Sequence, residues 1–468
     1  MTFRILTTLL IISTFFSCKD DTLFTKIDAE ESGIQFSNRI TENDSINILD
    51  LEYVYNGSGV GIADFNKDGF QDVFFSGNQV ANKLYLNKGD FKFEDISVKA
   101  GIEAANRWCA GVVTVDINND GWMDIYVAAT VKEQASERQN LLFVNQGLKE
   151  GTPVFKEMGA EYGVNDSGHS ENAAFFDYDN DGDLDLYVLT NEIDQYPNTF
   201  RPKVKDGTYP NTDRLYRCDF DEQLGHSYYT NVSKEAGITI EGYGLGLNIC
   251  DINKDGWKDI YVTNDYAADD ILYINNGDGT FADQANQYFK HTSSSAMGND
   301  VADINNDGLL DVFAVDMLAK NNLRKKVLAP PNNYQLFKLS DEFGYTYQYM
   351  RNTLQINNGK LANNKQALFS EVSLLSGIAE TDWSWTPSLA DFDNDGFRDI
   401  IITNGFPKDV TDRDFMAFRA EAENLAEKTF LLGQIPEVKI SNYAYRNKGN
   451  LEFEDVTEKW GMDIPSFS

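Results

Sequence analysis

The chain has 468 residues, 42% of them hydrophobic and 13% aromatic, and 74 acidic residues against 40 basic ones give a formal net charge of −34. Such a surface argues against a nucleic-acid partner, which needs a basic footprint. The length exceeds an ordinary single domain but is within reach of a repeat architecture folded as one unit.

In chain order, residues 1–17 come first and read MTFRILTTLLIISTFFS. One Arg is followed by a mainly apolar run that is too short for a stable membrane span and fits a secretory signal. Ser17 before Cys18 resembles a bacterial lipobox, which would make Cys18 the lipidated first residue of the mature chain. The alternative is ordinary secretion with a free Cys18. Lys19-Asp20-Asp21 resembles the signal that sends lipoproteins of Bacteroidetes-type bacteria to the outer surface. The expectation is an exported outer-membrane lipoprotein, with residues 18–23 as linker and membrane contact through the N-terminal lipid alone. Cys109, Cys218 and Cys250 form no CxxC or Cys/His cluster, so they read as buried free thiols rather than a zinc site.

From residue 24 onward the chain repeats itself. Six segments share D-x-[DN]-x-D-G-x-x-D, starting at Asp64, Asp116, Asp177, Asp251, Asp303 and Asp391. Each follows a short strand-like run such as GVGIA or GVVTV and precedes a β-branched or aromatic run such as IYVAAT or LYVLTN. A third run follows (KLYLNKG, LLFVNQG, RLYRCDF, ILYINNG, TLQINNG, YAYRNKG), mostly ending in an Asn-x-Gly turn signal. The fourth resembles FEDISVKAGI. Four strands per repeat predict an all-β propeller of six four-stranded antiparallel blades over residues 24–468. A seventh copy of the fourth element stands alone at Phe24–Ile34. It either closes the ring against a C-terminal blade or belongs to a seventh blade, so six and seven blades both stay open. Insertions between second and third strands fall at about 191–213, 317–352 and 405–441; the last contains a predicted helix over 412–428 with Thr411 as N-cap. They should gather on one face of the disc.

The six loops point to calcium. A hard cation takes six to eight oxygens, and loop positions 1, 3, 5, 7 (through the carbonyl) and 9 can supply them around a Gly at position 6. The candidate ligands are Asp64, Asn66, Asp68, Phe70 and Asp72 in the first loop, then Asp116, Asn118, Asp120, Trp122 and Asp124 in the second. The third offers Asp177, Asp179, Asp181, Asp183 and Asp185, and the fourth Asp251, Asn253, Asp255, Trp257 and Asp259. The fifth and sixth offer Asp303, Asn305, Asp307, Leu309 and Asp311, and Asp391, Asp393, Asp395, Phe397 and Asp399. Up to six Ca2+ ions are expected. An EF-hand is ruled out, because position 12 is apolar in every loop (Phe75, Val127, Val188, Val262, Ala314, Ile402) and lies in a strand-like run.

These loops between strands resemble the FG-GAP/VCBS repeats of integrin-α-type propellers. MGNDVADINNDG, VDMLAKNNLRKK and WSWTPSLADFDNDGFRDIIITNG resemble VCBS-repeat lipoproteins of Bacteroidetes related to the cartilage acidic protein group. In longer relatives the propeller continues into further blades and a C-terminal ASPIC/UnbV-like domain. The present sequence reaches Ser468 where another blade would begin, which leaves ring closure open.

Two function classes follow. One is a calcium-stabilised surface module that binds a glycan or a protein through its insertions, where Tyr196, Phe200, Tyr209, Tyr345, Tyr347 and Tyr349 could stack on a ligand or pack beneath their own loops. The other is a carbohydrate-active enzyme, a glycoside hydrolase or polysaccharide lyase on a propeller. Its support is thinner: the recognisable carboxylate sets are claimed by calcium. His169, His226 and His291 accompany no nucleophile motif, and His169 reads as a solvated loop residue with a funnel-facing alternative.

Overall fold

A computed structural model describes residues 22–192, 201–328, 334–360, 367–423 and 425–467. The signal segment, Cys18, Tyr196 and Phe200 lie outside these residues.

The fold is an all-β propeller of six four-stranded antiparallel blades. Blade 1 is Val60–Ala63, Asp72–Phe75, Lys83–Asn87 and Phe93–Asp95; blade 2 is Cys109–Val115, Asp124–Ala129, Leu141–Lys149 and Thr152–Glu157. Blade 3 is Ser170–Phe176, Asp185–Thr190, Arg214–Asp221 and His226–Asn231; blade 4 is Gly244–Cys250, Asp259–Asn264, Ile271–Asn275 and Phe281–Asp283. Blade 5 is Asn299–Ala302, Asp311–Ala314, Thr353–Lys360 and Ala367–Glu371; blade 6 is Ser384–Ala390, Asp399–Asn404, Tyr443–Asn447 and Phe453–Asp455. First strands pack against first strands from blade 1 round to blade 6, so they line the axis.

The apolar runs follow from this stacking. The second strands of blades 2, 3 and 4 are buried at every residue, because a neighbouring blade covers each face. Separate apolar clusters fill the boundaries: Phe65, Phe74 and Ile125 between blades 1 and 2, for example, and Phe313, Ile400 and Ile402 between blades 5 and 6. Cys109, Cys218 and Cys250 are buried free thiols, and burial pushes Cys109 up to about 12.

A hydrogen bond recurs at the head of every blade. The Asn or Asp before the third strand accepts the backbone N–H that ends the second. The pairs are Asn82 with Gly77, Asn140 with Ala129, Asp213 with Thr190, Asp270 with Asn264, Asn352 with Asp316, and Asn442 with Asn404. Four blades use Asn and two use Asp. Asp270 is fully buried, and burial pushes its carboxyl up to about 8 against the opposing hydrogen bonds from Tyr261 and Asn264. A folded pKa raised above the ordinary 3.8 contributes stability below pH 4 that is lost as pH rises through 8. Asp270→Asn, the choice of four other blades, is therefore expected to gain stability relative to the parent between pH 4 and 8. Paired urea melts across that range check the slope; parallel curves would refute the assignment.

A second device joins consecutive blades. In four blades the Asn of the Asn-x-Gly turn reaches across to the preceding blade's acidic loop, while Asn87 of blade 1 bonds the Gln71 carbonyl of its own blade. Asn145 donates to the Phe65 carbonyl (3.0 Å), Asn275 to Tyr178 (2.8 Å), Asn357 to Ile252 (3.2 Å) and Asn447 to Ile304 (2.8 Å). Blade 3 has Cys218 at this position. Asn357→Ala is expected to cost about 1–3 kcal/mol, since it strands a buried carbonyl of blade 4 and another of blade 5. Chemical denaturation would measure it.

The lone seventh copy of the fourth element lies at the outer rim between blades 6 and 1. Phe24 packs edge-on against Phe392 and Trp460, and its N–H bonds the Trp460 carbonyl at 3.0 Å. The short helix Ala29–Ser32 ends at Gly33 (φ 83°), where a β-carbon would lie 2.5 Å from the Phe93 carbonyl of blade 1. Gly461, ending blade 6, approaches the Phe24 carbonyl in the same way at 2.7 Å. Gly163 and Gly237 meet the outer strands of blades 3 and 4 likewise. The segment therefore stands where a seventh blade's outer element would, while the complete blades number six.

The segments between second and third strands are long in blades 3, 5 and 6, running from Thr190 to Arg214, Ala314 to Thr353 and Asn404 to Tyr443. The predicted helix over 412–428 is corrected: it runs Arg413–Ala422, and a separate helix follows at Lys428–Leu432. Asp412, not Thr411, caps it, accepting from the N–H of Asp414 and Phe415, while the Thr411 hydroxyl turns back to Asp409. Among the described residues no helix is long and apolar enough to cross a membrane.

Candidate metal centre

Each acidic loop joins the first and second strands of a blade, so all six lie at one end of the disc and the insertions at the other. Their geometry is nearly superimposable. Position 1 accepts the N–H groups of positions 5 and 6: Asp64 from Asp68 (3.1 Å) and Gly69 (2.8 Å), and likewise Asp116, Asp177, Asp251, Asp303 and Asp391. Position 5 accepts the N–H of position 7, as Asp255 does from Trp257 and Asp307 from Leu309. The chain turns back through left-handed residues at position 4 (Lys67, Asn119, Asn180, Lys254, Asn306, Asn394) and at the Gly that follows.

Position 3 divides the loops. In the first, second and fifth, the amide of Asn66, Asn118 or Asn305 donates to the position 5 carboxylate of Asp68, Asp120 or Asp307. In the third, fourth and sixth, Oδ1 of Asp179, Asn253 and Asp393 is buried with no hydrogen-bond partner, as is Oδ1 of Asp183. One carboxylate oxygen each from Asp177, Asp179 and Asp185 comes within 4.8 Å of the others, and so does one each from Asp391, Asp393 and Asp395. The two loops with Asp at position 3 have Arg in the third strand where the other four blades carry Leu86, Val144, Ile274 or Ile356. Arg446 pairs with Asp393 (2.7 Å) and Asp395 (2.8 Å), whereas Arg217 turns to Asp219.

Position 9 does something that the loop spacing does not reveal. Asp72, Asp124, Asp185, Asp259, Asp311 and Asp399 are all fully buried. Each uses one oxygen to accept the N–H of loop position 2 and the other to accept an N–H of the third strand. For Asp259 these are Ile252 (3.0 Å) and Asn275 (2.9 Å). The other five repeat the pattern at 2.7–3.1 Å. Position 9 is thus a clamp tying three parts of its blade together, and its oxygens still have lone pairs for a cation. Burial pushes Asp124, Asp185 and Asp259 up to about 7, and the Asp residues at positions 1 and 5 of each loop, or 3 and 7 in the third, add to the rise.

The residues fit a hard dication: an all-oxygen donor set, orphaned oxygens at position 3, and carboxyls whose burial and mutual repulsion a positive charge would offset. Bound there, calcium would supply charge neutralisation and hold the turn.

The three histidines are not brought together. His169 is half-buried at 3.5 Å from Thr130, and burial lowers its pKa, so it is not a solvated loop residue. His226 begins the outer strand of blade 3 and stacks on Tyr162. His291 sits 3.4 Å from Glu371, beside Arg351. The insertion aromatics pack on their own surroundings: Tyr209 on Arg201, Tyr347 on Phe337, Tyr349 on His291, with Tyr345 buried near Lys203. Two insertions interlock over blade 4, where buried Lys203 pairs with buried Asp269 at 2.6 Å and Thr346 donates to the same carboxylate at 2.7 Å.

Residues 64–127 and 251–314 match the FG-GAP-like repeat. Human cartilage acidic protein 1 is 30% identical over 140 residues, which is 29% of this chain and 20% of the human one. The mouse protein is 29% identical over 140 residues. The chain thus spans about a fifth of the length of the curated relatives it matches. Among solved structures, an Agrocybe aegerita lectin recognising non-reducing terminal N-acetylglucosamine has a TM-score of 0.42 at 14% identity, covering 85% of this chain and 81% of the lectin. A GH43 β-1,3-galactosidase has a TM-score of 0.30 at 12% identity, covering 56% of this chain and 86% of the galactosidase. The chain is a six-bladed propeller that carries FG-GAP-like repeats and is homologous over part of its length to cartilage acidic protein 1.

Proposed function

We propose that the protein is a calcium-stabilised interaction module held at the cell surface through Cys18, whose glycan or protein ligand is met by the insertions. The observation that carries the calcium part is the orphaned oxygen at position 3 of three loops, inside a turn that all six loops share. The metal loops and the insertions occupy opposite ends of the disc, so calcium acts as a brace and leaves the other face for recognition. The interlock of the blade 3 and blade 5 insertions over blade 4 gives that face a fixed shape. The test has two arms. Native mass spectrometry and calorimetry should count calcium ions bound per chain, up to six. A glycan array and a cell-surface protein screen, run with calcium and with chelator, should then return a ligand whose binding needs calcium and which is not turned over. Turnover of a glycan would move the reading to the carbohydrate-active class; no calcium uptake would end the brace reading.

A further inference from the structure

The two acidic loops with Asp at position 3 each have an Arg in the third strand of their blade, at 217 and 446, and the two arginines are placed differently. Arg446 stands over its loop. Its Nη2 donates to Oδ2 of Asp395 at 2.8 Å, and its Nε sits 2.7 Å from Oδ2 of Asp393. The Nε contact is an ion pair rather than a hydrogen bond, because the N–H is not aimed at that oxygen. Oδ1 of Asp393 is left buried and unpartnered. One oxygen each from Asp391, Asp393 and Asp395 lies within 4.8 Å of the others, so the guanidinium occupies two of the three carboxylates that would hold an ion. Arg217 instead donates from Nε and Nη2 to Asp219, at 3.0 and 2.9 Å. It is turned away from the five carboxylates of the third loop.

The residue two further along the strand decides between these placements, since residues two apart share a face. It is Asp219 after Arg217 but Lys448 after Arg446. Glu454, in register opposite Arg446, is taken by Lys448 at 3.0 Å. Arg446 therefore meets a like charge along its own strand and opposite charges in the loop.

We propose that Arg446 is a tethered counter-ion of the sixth loop, which holds that turn without metal and makes the loop the last of the six to take up calcium. The inference rests on the calcium reading above and adds an order of filling to it. Two effects set the order. A dication entering beside Asp393 and Asp395 meets the like charge of the guanidinium at the same carboxylates. Displacing the guanidinium instead loses a charge-assisted hydrogen bond to Asp395. The first, second, fourth and fifth loops face neither cost, because Leu86, Val144, Ile274 and Ile356 stand where Arg446 does. The third loop is the opposite extreme: five carboxylates, unpartnered oxygens on Asp179 and Asp183, and an Arg paired elsewhere. It fills first.

The test is a Ca2+ titration of the full chain, counted ion by ion in native mass spectrometry and read as affinities in calorimetry. It compares the parent with Arg446→Leu, the residue of blade 1 at this place, and with the neutral Arg446→Gln. The parent is expected to bind its sixth ion about tenfold or more weakly than the other five, and both variants are expected to tighten that step about tenfold or more. Asp391→Asn should abolish the weak step and leave the tight ones, which locates it in the sixth loop. In chelator both Arg446 variants should melt below the parent, and saturating Ca2+ should close the gap. The proposal is overturned if all six ions bind the parent with one affinity, if Asp391→Asn removes a tight step, or if the Arg446 variants leave the last step unchanged. A lower Tm in chelator with an unchanged last step would make Arg446 a structural partner of the loop alone. In each of these cases calcium uptake by the other loops keeps the brace reading. No uptake by any loop would end that reading and this inference together.

Discussion

Chelating calcium is expected to lower the Tm of the full chain by roughly 10 °C or more at a fixed scan rate, and restoring the ion is expected to return it. A ligand held at a hundred times its Kd stabilises by about 2.7 kcal/mol per site, and the fold has up to six such loops to sum. The cause is electrostatic. Without a cation, each loop keeps two or more carboxylates close together beside a fully buried position 9 Asp that burial already pushes up, to about 7 in blades 2, 3 and 4. Differential scanning calorimetry with and without chelator reads the effect; an unmoved Tm removes calcium from the account. Two substitutions separate the roles within one loop. In chelator, Asp251→Asn should cost little further, since Asn keeps one acceptor for the turn and the exposed N–H that loses its partner can turn to water. Asp259→Ala should still destabilise by about 1–3 kcal/mol for each backbone N–H it strands, at Ile252 and at Asn275.

That contrast marks where the sequence stops being legible. The loops, the flanking strands and the position of the insertions could be read because they are local: the D-x-[DN]-x-D-G-x-x-D spacing and the period-2 runs need no knowledge of the neighbouring blade. What position 9 does could not be read this way. Its second hydrogen bond goes to the third strand, sixteen residues on in blade 4 and forty-six in blade 5, so a ligand-like Asp conceals a clamp. The Asn-x-Gly turns read as turns and are turns, but the outward reach of Asn357 to Ile252 exists only once blade 5 has packed on blade 4. The seventh copy at Phe24–Ile34 was visible as a pattern. Its place between blades 6 and 1 came from the approach of Gly33 and Gly461 to their neighbours' carbonyls, which depends on how the ring closes. The helix predicted over 412–428 begins at Arg413 for a simpler reason: the Asp412 side chain accepts the free N–H groups of the first turn, while the Thr411 hydroxyl turns to Asp409.

The second large effect is expected at the insertions. Lys203→Met should destabilise the protein by about 3–5 kcal/mol, because it leaves the Asp269 carboxylate buried without its countercharge. Lys203 is 1% exposed and Asp269 2%, so solvent cannot screen the loss. Burial alone would lower the Lys203 pKa, yet Asp269 and Asp283 outweigh it and hold the ammonium charged. The pair ties residues 201–213 of the blade 3 insertion to blade 4. Through Thr346 on the same carboxylate it also ties in the blade 5 insertion, and Glu241 adds a further anchor by accepting from Arg201 and from the Val204 N–H. Lys203→Met combined with Asp269→Leu should recover part of the stability, since two apolar side chains of similar size can replace a buried ion pair at little cost, while the buried Thr346 N–H loses its acceptor. Amide exchange should show the single variant opening 201–213 and 334–349 while the acidic loops at the other end of the disc stay protected. Uniform loss of protection across all six blades would mean that the pair supports the whole ring rather than the insertion face.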